Sequence, residues 1–283
     1  MTNRTIQQLI PARETQDGAG VLLKRSIGQR HSLRLDPFLM LDAFNSSSPD
    51  DYMAGFPPHP HRGFETVTYM LDGSMIHRDH MGNEGELRAG GVQWMTAGRG
   101  VIHEERPQRT EGRMRGFQLW VNLPANEKMK PAAYQNIEPE EVPCVTLPEG
   151  GEVRVVAGAF EGLEGEVAGP VQGVSAEPVY LDVRLGAGAA FSYPVSASHN
   201  LMLYPYEGDL LIEDTRVVSD TAVVMGEGDQ LVVSAGNSPS AFLVLAGKPI
   251  GEPVAQYGPF VMNTMEEVEQ AIAAYQAGRL TDG

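Results

Sequence analysis

Short apolar segments separated by glycine-containing turns make up most of this chain of 283 residues. The sequence holds 32 glycines and 20 prolines, and only 7% of its residues are aromatic. Many short strands with turn residues between them are typical of all-β sandwiches and barrels. We therefore predict strands at these segments: Phe64–Leu71, Gly91–Met95, Phe117–Leu123, Val153–Ala157, Val179–Leu185, Leu201–Tyr206, Leu210–Ile212, Gln230–Ser234 and Ala241–Ala246.

A helical pattern stands out near the C-terminus. Thr264 is followed three positions later by Glu267, which is the sequence form of a capping box. Apolar residues then recur at helical spacing, and Gly278 is a suitable stop. The pattern predicts a short C-terminal helix that packs one apolar stripe against strands: Met265, Val268, Ala271, Ile272 and Tyr275.

The two halves of the chain resemble each other. Tyr69–Gly73 leads to Gly90–Gly98 in the first half, and Tyr206–Asp209 leads to Gly228–Gly236 in the second, each with the order strand, glycine turn, strand. Internal repetition of this kind predicts two β-barrel domains of one type. The segment Pro124–Gly151, rich in proline and glutamate, is the predicted linker. We place an N-terminal domain at 1–135 and a C-terminal domain, with the terminal helix, at 136–283.

The charge balance and the single cysteine limit the function. The chain has 21 Lys and Arg against 37 Asp and Glu, a formal net charge of −16, which argues against direct nucleic-acid binding because phosphate contacts need clustered basic residues. Cys144 cannot form an internal disulfide, and we expect it to be inert.

Met1–Glu14 is polar, so we expect no signal peptide. No apolar run approaches the roughly 18 residues of a membrane span, and we expect a cytoplasmic protein.

Five of the seven histidines fall between residues 59 and 103: His59, His61, His77, His80 and His103. In an extended chain, residues two positions apart point the same way, about 6.6 Å apart at Cα. His59 and His61 can therefore bind one metal ion, and His103 with Glu105 forms a second such pair. The spacing predicts a site of three histidines and one carboxylate that faces a barrel interior and leaves coordination positions open. Such ligands suit Fe, Mn, Ni, Cu or Zn alike.

The remaining histidines have weaker signals. His77 and Asp79 share one strand face and could form a pair that orients a metal ligand. We favour the interpretation that His77 and Asp79 belong to the polar end of a strand, before the turn at 82–85. We expect the isolated His31 and His199 to be structural.

Several motifs in this sequence resemble those of the pirin family of the cupin superfamily, in particular its bacterial members similar to quercetin 2,3-dioxygenase. Together they cover most of the chain: His59–Tyr69 (HPHRGFETVTY), Val92–Gly100 (VQWMTAGRG), His103–Glu105 (HEE), Leu119–Leu123 (LWVNL), Gly251–Pro253 (GEP) and Gly258–Thr264 (GPFVMNT).

The resemblance implies an all-β fold of two tandem cupin domains, each a jelly-roll barrel. It also implies terminal segments that pack across the opposite domain. The N-terminal domain would hold one metal ion, usually iron, through His59, His61, His103 and Glu105. Glu65 occupies the place of the metal-binding glutamate of the general cupin motif, but in pirins the later glutamate has that role. We expect a metal-free C-terminal domain, in which we match His103–Glu105 with the apolar segment Ala241–Leu245.

The resemblance also implies a function. Pirin-like proteins of this kind are linked to quercetin 2,3-dioxygenase activity, so we expect a metal-dependent dioxygenase that cleaves flavonols such as quercetin with O2. Fe(II) is the expected cofactor, with Ni, Mn, Cu or Zn as alternatives, and Glu105 is the expected catalytic base. The alternative is a non-enzymatic, redox-sensitive metal-binding regulator that acts through a protein partner. The net charge of −16 weakens any version of that role in which the protein contacts DNA directly.

Overall fold

The computed structural model describes residues 1–30, 32–109 and 112–282. His31, expected above to be structural, lies outside the described residues. Within them the chain is mostly β-strand, with one α-helix near the C-terminus. This confirms the predicted fold class. No described helix combines the length and apolar character that a membrane crossing needs.

The elements follow one another closely along the chain. The strands of the first half are β1 (Ile6–Pro11), β2 (Arg13–Asp17), β3 (Val21–Arg25), β4 (Phe38–Ser46), β5 (Phe56–His61), β6 (Phe64–Asp72), β7 (Ser74–Asp79), β8 (Glu84–Arg88), β9 (Val92–Thr96), β10 (Val101–Pro107), β11 (Met114–Asn122) and β12 (Ala133–Ile137). Those of the second half are β13 (Cys144–Thr146), β14 (Gly151–Ala157), β15 (Ala159–Gly162), β16 (Gly165–Ala168), β17 (Val179–Leu185), β18 (Ala190–Pro194), β19 (Asn200–Glu207), β20 (Leu210–Ile212), β21 (Thr215–Val217), β22 (Thr221–Met225), β23 (Gln230–Ala235) and β24 (Ser240–Gly247). The chain ends with β25 (Ala255–Tyr257), β26 (Phe260–Met262) and the helix α1 (Met265–Gln276), and 3-10 turns occur at Pro49–Asp51, Ala125–Glu127 and Pro139–Glu141.

Each predicted strand segment overlaps a strand of the structure, and the predicted helix is confirmed as α1. The capping box is present: Thr264 Oγ1 accepts a hydrogen bond from the backbone N–H of Glu267 at 3.2 Å, and the Glu267 carboxylate accepts one from the N–H of Thr264 at 2.9 Å. Val268 and Ala271 are the buried residues of the helix. These local signals are reliable because they satisfy backbone N–H groups that would otherwise have no partner.

The chain forms two compact units. The histidine unit contains Glu14–Arg25, Phe38–Glu140 and Ile250–Gly283, and the second unit contains Met1–Arg13, Ser26–Pro37 and Glu141–Pro249. Both terminal segments therefore belong to the unit built mainly by the other half of the chain, whereas the predicted ranges 1–135 and 136–283 are contiguous. The physical reason at the N-terminus is strand pairing, because β1 pairs with β22.

Both units have the same strand plan. The histidine unit has a seven-stranded sheet of order β12-β9-β6-β11-β4-β3-β2 and a four-stranded sheet of order β5-β10-β7-β8. The second unit has the orders β1-β22-β19-β24-β17-β14-β13 and β18-β23-β20-β21. Apolar side chains from both sheets form the core of each unit, for example Met70 with Met75 and Phe242 with Phe191. The same plan in both units agrees with the predicted duplication.

The strand plan corrects one detail of the repeat. In the two sheet orders, β9 takes the same place as β22, and β10 takes the same place as β23. The match of Gly90–Gly98 with Gly228–Gly236 is therefore wrong, because the first segment contains β9 and the second contains β23. A glycine turn before a strand recurs throughout this chain, and the pattern does not specify the position of that strand in a sheet.

The predicted linker Pro124–Gly151 also contains strands. Within it, β12 pairs with β9 in the histidine unit, and β13 pairs with β14 in the second unit. Both are outermost strands of their sheets, where proline and charged residues are tolerated because one side needs no hydrogen-bond partner. Cys144 on β13 is exposed, and partial burial of the thiol and the nearby Glu152 raise its pKa.

The C-terminal segment of the histidine unit packs against the turn between β5 and β6. Arg62 forms a parallel bridge with Phe260, and its guanidinium donates to the carbonyl oxygen of Leu280 at 2.8 Å. Gly63 adopts a φ of +89°, and a Cβ there would lie 1.9 Å from the carbonyl oxygen of Val261. Glycine is therefore required for this close approach, which fixes the chain directly after His61.

Candidate metal centre

Strands β5 and β10 bring three predicted metal ligands together. The two strands are antiparallel neighbours, and His103 lies directly opposite His59. The ring centroids of His59, His61 and His103 are 4.3 to 4.8 Å apart. Each residue offers a nitrogen atom, and these atoms lie within 4.8 Å of one another. The arrangement follows from strand alternation, which turns His59 and His61 to the same face.

Glu105 lies beside this group. The pairing of β10 with β5 shifts register between His103 and Glu105, which is the mark of a bulge or irregularity. On the other side of β10, Glu105 lies directly opposite His77 of β7. The potential ligand atoms of His77, His103 and Glu105 form a second group within 4.8 Å, so the two groups share His103.

The structure corrects the interpretation of His77. This side chain is 4% exposed and contacts His103, with 4.9 Å between ring centroids, so it is not part of a solvated strand end. Asp79 has a different role from the suggested pair, because its carboxylate accepts hydrogen bonds from the backbone N–H groups of Met81 and Asn83 in the following turn. Strand alternation could have indicated that His77 is buried, since it shares a strand face with the apolar Met75, which is also buried.

Burial keeps the four clustered imidazoles neutral. It lowers the pKa of His59, lowers those of His61 and His103 well below the ordinary histidine value, and lowers that of His77 to about 4. Neutral imidazole is the form that binds metals. Burial also raises the pKa of the Glu105 carboxyl to about 7, against the smaller effect of the Thr68 hydroxyl at 3.4 Å.

Several buried nitrogen atoms of the cluster have no hydrogen-bond partner within the described chain: His61 Nδ1, His77 Nε2 and His103 Nε2. An unpaired buried polar atom is costly, and native proteins contain few of them. Nitrogen and carboxylate donors that converge in this way match the ligand chemistry of divalent transition metals. The cluster is therefore able to hold a metal ion.

Glu65 is engaged elsewhere in the same unit. Its carboxylate accepts hydrogen bonds from Trp94 Nε1 at 2.9 Å and from Thr96 Oγ1 at 2.7 Å, and Lys130 Nζ lies 3.3 Å away. Both oxygens thus have partners in the protein, which accounts for leaving Glu65 outside the proposed ligand set.

Aromatic side chains form one wall of the centre. Phe64 and Trp120 contact each other, with 4.3 Å between ring centroids, and both lie edge-on to His61 at 5.2 and 5.5 Å. His59 and Trp120 are partly exposed, whereas His61 and His103 are buried. The side of the centre that is partly exposed is therefore that of His59 and Trp120.

The second unit has apolar residues at the equivalent place. The equivalents of β5 and β10 are β18 and β23, where Phe191 pairs with Val233 and Tyr193 with Leu231. All four side chains are buried in the core of the unit. The earlier match of His103–Glu105 with Ala241–Leu245 is wrong, because that segment lies in β24, the equivalent of β11.

Comparison with known proteins identifies the family. The model of the pirin family matches residues 20–121, and the model of the pirin C-terminal cupin domain matches residues 180–281. The chain belongs to the pirin family. A Pseudomonas aeruginosa relative named as a candidate quercetin 2,3-dioxygenase is 50% identical over 98% of both chains. Human pirin is 39% identical, over 97% of this chain and 93% of its own.

Solved structures agree with the pirin assignment. A crystal structure of quercetin 2,3-dioxygenase from Acinetobacter baumannii superposes with a TM-score of 0.90 at 33% identity, over 98% of both chains. A bacterial pirin from Escherichia coli, solved in complex with nickel(II), shares the fold at a TM-score of 0.65 and 17% identity, over 86% of this chain and 98% of its own. The predicted family and its two cupin domains are confirmed.

Proposed function

We propose that this pirin is a metal-dependent dioxygenase that cleaves flavonols such as quercetin with O2. The observation that carries the proposal is the convergence of His59, His61 and His103 beside the buried carboxyl group of Glu105. The names of the Pseudomonas and Acinetobacter relatives support the choice of reaction.

The proposed ligands are His59, His61, His103 and Glu105. Three imidazoles and one carboxylate suit Fe(II), which the family resemblance implies, and also Ni, Mn, Cu and Zn. A metal ion bound there would supply Lewis acidity, which lowers the pKa of a coordinated hydroxyl group. The residues around it would then determine where the substrate lies and where its proton goes.

Glu105 is the proposed acceptor of the flavonol 3-hydroxyl proton. A buried carboxylate within reach of the substrate hydroxyl can act as a general base, and in the metal-free chain burial raises the pKa of Glu105 to about 7. The Thr68 hydroxyl lies between Glu105 Oε1 at 3.4 Å and Gln118 Oε1 at 2.5 Å. The single proton of this hydroxyl is donated to Gln118, so its oxygen faces Glu105 as a possible acceptor.

Trp120, which packs on the buried ring of Phe64, is the proposed contact surface for the flavonol rings. Aromatic faces attract flat aromatic ligands and displace water from them. Removal of water strengthens the electrostatic interactions between the substrate hydroxyl and Glu105. The product of the proposed reaction carries both atoms of O2, and the ring carbon that bore the 3-hydroxyl leaves as carbon monoxide.

The experiment that tests this function is quercetin turnover by chain loaded separately with Fe(II), Ni(II), Mn(II), Cu(II) or Zn(II). We expect loss of quercetin absorbance with one O2 consumed and one carbon monoxide released per quercetin, for at least one metal. The metal-free chain is the control and should be inactive. No turnover with any of these metals would contradict the proposal, and metal-dependent capture of a protein partner would then favour the regulator alternative.

The variant Glu105→Gln tests whether Glu105 acts as a general base or only as a metal ligand. If Glu105 accepts the proton, kcat should fall by about 10²–10⁴, the usual contribution of general base catalysis, while the bound metal falls much less. Steady-state kinetics and metal analysis of the same sample measure both. Glu104→Gln is a matched control, because Glu104 is the adjacent residue of β10 and pairs with Arg106 at 2.8 Å. Equal losses of turnover and metal in Glu105→Gln would mean that Glu105 acts only as a ligand.

A further inference from the structure

His77 lies inside the metal centre but is not one of the four proposed ligands. It is buried on β7, opposite Glu105, and its Nδ1 is 3.3 Å from Nδ1 of His103. Two ring nitrogens at this distance form a hydrogen bond only if one carries a proton and the other accepts it. The contact between the two histidines therefore bears on which nitrogen of His103 is free to bind a metal ion.

His59 shows how a tautomer is fixed in this site. Its Nδ1 is 2.8 Å from the carbonyl oxygen of Pro57. Because a carbonyl oxygen can only accept, Nδ1 of His59 must carry the proton, and Nε2 keeps its lone pair. Metal-binding histidines generally donate their second ring N–H to such a partner, which sets the tautomer and the orientation of the ring.

The partner of Nδ1 differs between the two residues: it is a carbonyl oxygen for His59 and a second histidine for His103. Nδ1 of His103 faces His77, and its Nε2 is buried without a hydrogen-bond partner in the described chain. We propose that His77 is a positioning residue that accepts the Nδ1–H of His103 and so presents the Nε2 lone pair of His103 to the metal ion. The inference rests on the metal site of the proposed function but does not depend on flavonol turnover.

The surroundings of His77 hold its ring in the orientation that this role needs. Tyr134 of the neighbouring sheet packs edge-on against it, with 5.1 Å between ring centroids. Backbone pairing between β7 and β10 places His77 opposite Glu105 and Asp79 opposite His103. His77 is thus fixed by its strand and by one aromatic contact, as a residue that orients a ligand should be.

Two variants of His77 test the role of the acceptor. In His77→Asn, the side-chain oxygen can take the place of Nδ1, whereas His77→Leu fills similar space without an acceptor. The metal-free chain is titrated with Co(II), and binding is followed by the visible absorption of the bound ion. We expect His77→Leu to bind Co(II) about 10–100-fold more weakly than wild type and His77→Asn to restore most of that loss. His199→Leu is the control and should match wild type, since His199 lies in the second unit.

A second readout observes the tautomer directly. In the wild-type chain loaded with Zn(II), ¹⁵N NMR of the histidine rings should show His103 bound through Nε2 and protonated at Nδ1. Unchanged Co(II) affinity in His77→Leu would overturn the inference, as would Zn(II) bound at Nδ1 of His103. Equal losses in His77→Asn and His77→Leu would also overturn it, because His77 would then be a ligand itself. Absence of Co(II) binding by wild type would overturn the metal site as a whole, before any variant is compared.

Discussion

Replacing His61 with alanine is expected to remove metal binding and turnover together. His61 is 3% exposed, and its ring lies between those of His59 and His103 and the aromatic wall. Loss of a residue that only orients a ligand costs about 10–100-fold in metal affinity, so loss of a ligand should exceed the upper end of that range. Metal analysis after dialysis and Co(II) titration measure the effect. Quercetin turnover should fall in proportion to the bound metal.

The control for this experiment is His199→Ala. His199 lies in the second unit, where its Nε2 is 3.6 Å from a Glu177 oxygen, so its loss should leave the bound metal unchanged. Thermal melts of the metal-free proteins would show whether His61→Ala still folds. A folded His61→Ala that retains a full equivalent of tightly bound metal would contradict the proposed ligand set.

Replacing Lys128 with methionine is expected to destabilise the histidine unit by about 1–3 kcal/mol, the usual cost of leaving buried hydrogen-bonding groups without their partner. The side chain is 1% exposed. Its ammonium donates to the carbonyl oxygens of Gly63 at 2.8 Å and Val261 at 3.1 Å and to Asn122 Oδ1 at 2.7 Å. Methionine keeps most of the apolar stem but leaves these three acceptors buried without a donor.

Tryptophan fluorescence is a suitable probe, because the two tryptophans, Trp94 and Trp120, both belong to the histidine unit. The midpoint of urea unfolding reports the change in stability. Arg113→Met is the matched control, since Arg113 and Asp72 form an exposed ion pair at 2.8 Å and such pairs contribute at most about 1 kcal/mol. A Lys128→Met protein as stable as Arg113→Met would contradict the prediction.

The pH dependence of stability gives Lys128 a further signature. Burial lowers its pKa in the folded chain from 10.5 to about 8. Between these two values the unfolded chain binds more protons than the folded one, so stability should rise as the pH rises through this window. Below pH 8 both states are protonated and the contribution is constant. Lys128→Met should lack this rise, which urea unfolding at several pH values would detect.

Much of the metal centre could be predicted from the sequence. His59 and His61 share a strand face by simple alternation, and His103 with Glu105 repeats the same spacing. The backbone geometry of a strand is enough to make each pair converge. The sequence offered His77 only as one of two alternatives. The pairing of β7 with β10, which places His77 opposite Glu105, decided that it lies in the site.

By itself the sequence indicated nine strand segments, the capped helix and the family, because these depend on local spacing and on short motifs. Only the tertiary structure decided which strands pair. It placed β12 and β13 at sheet edges within the predicted linker. The family resemblance already implied that terminal segments join the opposite domain, and the structure gave their bounds, 1–13 and 250–283. The physical reason is that a strand's pattern specifies which of its faces is buried, whereas its partner is selected by hydrogen bonds and packing with residues far away along the chain.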